Sequence, residues 1–115
     1  MTSEYRSSGS TTLTPDVFLT IARMAALEVE GVHSMAPVRG GMKGSLSRRI
    51  EGVRMNIEEN TVFVDLFLIL ENEVNIREVS RGVQFVVARA ISEMTGMEAN
   101  HVNIHIEDIH YKNEA

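Results

Sequence analysis

The alternation of apolar and polar positions is most regular in the middle of the chain, over residues 60–70 (NTVFVDLFLIL). Side chains of a strand point alternately to the two faces of a sheet, so the even positions form one aliphatic row. That row is Val62, Val64, Leu66, Leu68 and Leu70. The odd positions include three large apolar groups and one carboxylate: Phe63, Asp65, Phe67 and Ile69. The pattern predicts a central strand with one face against the protein's own helices and a second face that is covered or available to a partner.

Two amphipathic helices are predicted, one before and one after this strand. Thr14 is expected to cap the first helix through its hydroxyl, and Gly31 is expected to end it. The second helix follows a capping-box pattern at residues 75–78 and stops at residues 95–96. Phe85 is the one large apolar residue that lies off the apolar stripe of this helix.

Further strands are predicted at residues 53–58 and 102–107, where apolar and polar positions alternate. Glu59 and Asn60 are suited to a tight turn, so the first of these strands and the central strand form a hairpin. A helical crossover returns the chain parallel to the strand that it left, so the closing strand is expected to lie parallel to the central one.

The predicted order is (β)-α-β-β-α-β, an α+β two-layer sandwich with two helices packed on one face of a three- to four-stranded mixed sheet. Whether residues 11–13 form the optional first strand stays open. Residues 32–47 contain one proline and three glycines and are predicted to be a loop. With 115 residues the chain fits one domain, residues 12–111, between a disordered tail at residues 1–11 and a short tail at residues 112–115.

Charge is distributed unevenly along the chain. The net charge is −5, but residues 38–55 carry +4, which leaves −9 for the rest. The basic segment also holds Gly41 and Gly44 in a G-x-x-G pattern, which in KH domains approaches a nucleic-acid backbone. Here the pattern runs into a strand, which favours a plain glycine-rich connection. The alternative is an anion-binding loop within residues 38–54, using Arg39, Lys43, Arg48 and Arg49.

Candidate chemistry is sparse. The absence of cysteine excludes disulfides and thiolate chemistry, and no segment reaches the roughly 18–20 apolar residues needed to span a bilayer. His101 and His105 share a strand face, but four residues separate them by about 13 Å, too far for one metal ion. His110 falls on the other face of a regular strand. We therefore expect no metal site, no cofactor and no catalytic residues.

A family resemblance is carried by residues 21–32, 51–53, 64–66 and 74–84 and above all by residues 94–109, with M-T-G-M followed by V-N-I-H-I-E-D-I. In these segments the chain resembles the alkaline shock protein family, envelope-stress proteins found mainly in Gram-positive bacteria. The resemblance spans residues 12–111. It implies a cytoplasmic, self-associating protein without catalytic activity, in some members held near the membrane by a separate anchor protein.

The functional prediction is an interaction or scaffolding protein linked to cell-envelope or alkaline stress. Two phenylalanines on the face that the helices cannot reach would form an exposed apolar patch. A homo-oligomeric interface is therefore predicted at Phe63, Asp65, Phe67 and His105. In the alternative interpretation, the N-terminal segment or the glycine-rich loop folds back over this face. Nucleic acid is not favoured as a partner, because the body of the chain is acidic.

Overall fold

The fold is an α+β sandwich of two helices and a five-stranded mixed sheet, as seen in a computed structural model that describes residues 10, 12–38 and 48–111. The elements are α1 (Pro15–Leu27), β1 (Val32–Met35), β2 (Arg48–Ile50), β3 (Val53–Glu58), β4 (Thr61–Glu71), α2 (Ile76–Thr95) and β5 (Glu98–His110). The predicted fold class is confirmed, and the sheet has five strands where three or four were predicted.

Strand β4 is the centre of the sheet. β5 runs parallel to it along one edge, from the pair Thr61 and Glu98 to the pair Glu71 and His110. On the other edge of β4, β3 pairs antiparallel with residues 61–66 and β1 pairs antiparallel with residues 68–70. β2 pairs antiparallel with β3 and extends the sheet beyond it. The predicted hairpin and the predicted parallel return are both confirmed.

The loop prediction for residues 32–47 is wrong for its first four residues, which form β1. The physical reason lies in β4, which is longer than β3. β3 pairs with β4 only as far as Leu66, and β1 supplies backbone partners for residues 68–70. Thr12 and Leu13 form no strand. Residues 1–9, 11, 39–47 and 112–115 lie outside the described residues; they include all but residue 10 of the predicted N-terminal tail, the whole C-terminal tail and most of the predicted loop.

The core lies between the helices and the even row of β4. All five even-numbered side chains from Val62 to Leu70 are fully buried. α1 and α2 supply the opposing layer, which includes Leu19, Ala22, Ala26, Val83, Val87 and Ile91. The opposite face of the sheet therefore points away from the helices.

Helix ends follow the sequence signals only in part. Asn75 caps α2 as predicted, because its side chain accepts a hydrogen bond of 3.0 Å from the backbone N–H of Glu78. Thr14 occupies the N-cap of α1 but makes no capping hydrogen bond through its side chain. α1 also ends at Leu27, before the predicted Gly31, which adopts a positive φ of 104° just before β1.

Candidate interaction face of the sheet

The face of the sheet opposite the helices, called the open face here, is built from β3, β4 and β5. Alternation along β4 places its odd-numbered residues there, and the neighbouring strands add polar side chains in register. Its central residues are Arg54, Phe63, Asp65, Phe67, His101, Asn103 and His105. Three of the four predicted interface residues come from β4, and β5 brings the fourth, His105, directly beside Phe67.

Asp65 is the electrostatic centre of the open face. One carboxylate oxygen, Oδ2, accepts hydrogen bonds of 3.3 Å from both Nε and Nη2 of Arg54. The other oxygen, Oδ1, lies 3.3 Å from Nδ2 of Asn103 and 3.1 Å from Nε2 of His105. Arg54 and Asn103 are the register partners of Asp65 on β3 and β5, so the ladder itself brings these groups together. The cluster pairs one negative with one positive charge.

Two phenylalanine–histidine stacks lie on either side of Asp65. Phe63 stacks on His101 with ring centroids 4.5 Å apart, and Phe67 stacks on His105 at 4.4 Å with an interplanar angle of 9°. The guanidinium carbon of Arg54 lies 5.4 Å from the centroid of the Phe67 ring. The two rings of each stack are cross-strand neighbours of β4 and β5, a contact that stabilises the pairing.

These stacks change the predicted apolar patch. Phe67 is 2% exposed, so its prediction as an exposed phenylalanine is wrong, while Phe63 is half-buried. His105 and Arg54 lie against the Phe67 ring and remove it from solvent. The open face consequently presents the half-buried Phe63 and polar groups where the sequence suggested two bare phenylalanines.

A second cluster lies at the end of β4, where β1 and β5 flank Glu71. His33 Nδ1 lies 3.2 Å from Glu71 Oε2, and the His33 ring stacks on His110 with centroids 3.7 Å apart. The prediction that His110 faces away from His105 is wrong, because β5 contains a bulge. Glu107 and Asp108 of β5 span a single step of β4, which reverses the alternation and turns His110 toward Glu71.

The predicted anion-binding loop is only partly within the described structure. Arg39 and Lys43 lie outside the described residues, and the backbone of Arg48 and Arg49 forms most of β2. Arg54, the next basic residue, is bonded to Asp65 on the open face. The loop's role therefore stays a prediction.

We expect the basic loop to give no more than weak binding to acidic liposomes or RNA at low salt, and that binding to fall steeply as salt rises. Cosedimentation over a salt series measures it. Arg39→Ala with Lys43→Ala should abolish the binding, whereas the matched charge loss Arg77→Ala with Arg81→Ala on α2 should not. Tight association at physiological salt would contradict this expectation.

Comparison with known proteins identifies the family. The model of the alkaline shock protein 23 family, described as having a cell envelope-related function, matches residues 3–111. The chain belongs to this alkaline shock protein family. The assignment confirms the resemblance found in the sequence, and it attaches a cell envelope-related function to the chain.

Curated relatives of this alkaline shock family chain include proteins of Bacillus subtilis and Streptococcus pyogenes. It is 28% identical over 113 residues to the uncharacterized protein YqhY of Bacillus subtilis (strain 168), covering 93% of this chain and 82% of that protein. It is 32% identical over 110 residues to the uncharacterized protein Spy1535 of Streptococcus pyogenes serotype M6, covering 95% and 84%. A stress response regulator gls24 homolog of Streptococcus pyogenes serotype M3 is 23% identical over 101 residues, and the match spans 56% of its length.

Solved structures share the fold of this alkaline shock family chain. MamM-CTD superposes with a TM-score of 0.53 at 12% identity, covering 83% of this chain and 99% of that one. Identity this low shows the fold alone. Neither described helix has the combination of length and apolar character needed to cross a membrane.

Proposed function

We propose that this chain is a non-enzymatic interaction domain of the cell-envelope stress response that acts by self-association through the open face. The family supports the cell-envelope and stress part of this proposal. The fixed arrangement of side chains on the open face supports the proposal that the chain is an interaction domain. In this proposal Phe63 supplies apolar contact area, Phe67 supports the surface from beneath, and Asp65 and His105 provide polar contacts.

The observation that carries the proposal is the pre-organisation of the open face. Asp65 is held by donors from both neighbouring strands, and the side chain of Arg54 is only 18% exposed. Immobilising a side chain on binding costs about 0.5–1.5 kcal/mol. Side chains already fixed by stacking and hydrogen bonds avoid much of this cost. An ordered surface of this kind is suited to protein binding.

A second copy of the chain is the partner that fits this surface. The net charge of −5 opposes most contacts between copies. On the open face this repulsion is reduced, because Arg54 and Asp65 place both signs side by side. In a two-fold symmetric dimer the same patch is used by both copies, so Arg54 of one copy can approach Asp65 of the other. Membrane proximity, in this proposal, comes from a separate membrane-anchored partner.

Self-association is tested by light scattering over a concentration series of the purified chain. We expect Phe63→Ser to raise the dimer dissociation constant at least tenfold, which corresponds to about 1.4 kcal/mol. The matched control is Phe85→Ser, because Phe85 is 64% exposed on α2 and lies off the open face. Phe67→Ser is unsuitable as a test, since removing a buried ring destabilises the fold whether or not an interface exists.

Circular dichroism and thermal unfolding establish that Phe63→Ser remains folded. A parent chain that stays monomeric at high concentration would refute self-association. Dissociation caused by Phe85→Ser and not by Phe63→Ser would place the contact beside α2 and reject the open face as the interface.

A further inference from the structure

We propose that His33, Glu71 and His110 form a binding site for a divalent transition-metal ion, with Zn²⁺ as the reference ion. Each residue offers one ligand atom, and these atoms all lie within 4.8 Å of one another. The site is separate from the Asp65 cluster and does not depend on self-association. The sequence predicted no metal site, because His101 and His105 are too far apart and a regular strand would place His110 on the other face. This proposal departs from that prediction.

Two independent bulges bring these ligands together. In β1 the register shifts between Val32 and Ser34, which pair with the adjacent residues Leu70 and Ile69, and His33 lies at this shift. In β5 the shift at residues 107–108 turns His110 to the same face. Bulges re-aim single side chains and are frequent beside functional sites. Here each one supplies a histidine to the same carboxylate.

The backbone around the three ligands is held by hydrogen bonds. Glu71 N–H donates to the carbonyl of Gly31 at 2.8 Å, which fixes the start of β1 against β4. Asn72 N–H donates to the carbonyl of His110 at 3.1 Å, which fixes the end of β5. The ligand positions are therefore tied to one another through the sheet, so a metal ion would not have to order the chain.

The donor set selects the class of ion. Two imidazoles and one carboxylate suit Zn²⁺ and related first-row ions, and three protein ligands leave a coordination position open. Mg²⁺ and Ca²⁺ prefer sites made entirely of oxygen. Glu73 lies beside the cluster and lines, with Glu71, Asn72 and His110, a cavity of 420 Å³. Its negative charge favours a cation at this end of the sheet.

Metal binding requires the histidine rings to rotate. In the structure the two rings are nearly parallel, at 8°, with centroids 3.7 Å apart. A metal ion lies close to the plane of each imidazole that binds it, and one ion cannot lie in two parallel planes. The side chains have room to turn, because those of His33 and Glu71 are 36% and 43% exposed. Loss of the stack is therefore a specific signature of binding.

The test is calorimetric titration of the full chain with zinc chloride in a non-chelating buffer. We expect one saturable site per chain. We expect each of three substitutions to weaken zinc binding at least tenfold: His33→Ala, His110→Ala and Glu71→Gln. Even residues that only hydrogen-bond to metal ligands contribute about 10–100-fold to metal affinity. The matched control is His101→Ala, which removes a histidine from the same strand outside the cluster and should leave the affinity unchanged. Mg²⁺ should not bind detectably.

Imidazole ¹⁵N NMR of the unsubstituted chain gives a second measurement that does not depend on how the variants fold. Zn²⁺ should shift the ring nitrogens of His33 and His110 and leave those of His101 and His105 in place. Absence of saturable binding would overturn the proposal. So would an equal loss of affinity in His101→Ala, or ring-nitrogen shifts confined to His101 and His105.

Discussion

Replacing Leu66 with alanine is expected to lower the free energy of unfolding by about 2–5 kcal/mol, the usual range for truncating a buried leucine. Leu66 is fully buried in the middle of β4. Val53 and Ile104 are its register partners on the two neighbouring strands, so the sheet cannot easily close over the missing atoms. Urea denaturation followed by circular dichroism measures the loss.

Met24→Ala is the matched control for this truncation. It also shortens a large apolar side chain, but Met24 is 55% exposed on α1. Surface substitutions of this kind usually change stability by less than about 0.5 kcal/mol. A loss below about 1 kcal/mol for Leu66→Ala would contradict the burial of the even row of β4.

Apart from the parallel return of β5, the features predicted correctly from the sequence are those with a local period. Alternation along residues 60–70 identified both faces of β4, and the burial of Leu66 follows from it directly. Helical spacing predicted an apolar stripe on the second helix, and Val83 and Val87 of α2 are indeed buried; the spacing of Asn75 and Glu78 identified its cap. Each of these signals depends on residues a few positions apart, whose relative orientation the local backbone geometry determines.

The features that could not be predicted depend on contacts between distant parts of the chain. His105 shields Phe67, which lies 38 residues earlier in the sequence, because β5 pairs with β4 in one particular register. The pairing of Val32 with Leu70 and of Met35 with Leu68 turns the short segment Val32–Met35 into β1. The bulge near Glu107 reverses the alternation in β5, and a regular period of two cannot anticipate it.

The candidate sites divide in the same way. Phe63, Asp65 and Phe67 are placed on one face by alternation alone, so the composition of the open face was predictable. Its hydrogen bonds to Arg54 and Asn103 required the registers of two strand pairs. The cluster around Glu71 required two bulges as well, and no signal within the sequence of β1 or β5 identifies either one.

Gly52→Ala is expected to lower the free energy of unfolding by about 2–5 kcal/mol, through two separate effects. Gly52 has a φ of +75°, a left-handed conformation that costs other residues about 1–2 kcal/mol. A Cβ at this position would also lie 2.5 Å from Cβ of Met35 and 3.2 Å from the carbonyl oxygen of Ala36. Overpacking of this kind destabilises a protein by about 1–3 kcal/mol. Neither contact can be relieved by side-chain rotation alone. The carbonyl of Gly52 also accepts a hydrogen bond of 2.9 Å from Phe67 N–H, so a shifted turn would disturb β4.

Gly96→Ala separates these two effects. Gly96 ends α2 with a φ of +80°, nearly the same conformation, but a Cβ there would meet no atom within 4 Å. Only the conformational cost of about 1–2 kcal/mol should appear at this position. Urea denaturation of both variants, followed by circular dichroism, gives the comparison. The difference between them measures the contact with Met35 and Ala36, because the conformational cost is common to both. Equal losses of unfolding free energy in the two variants would contradict the close packing of the β2–β3 turn against β1. A larger loss for Gly52→Ala would show that this turn holds β1 and β3 side by side along β4.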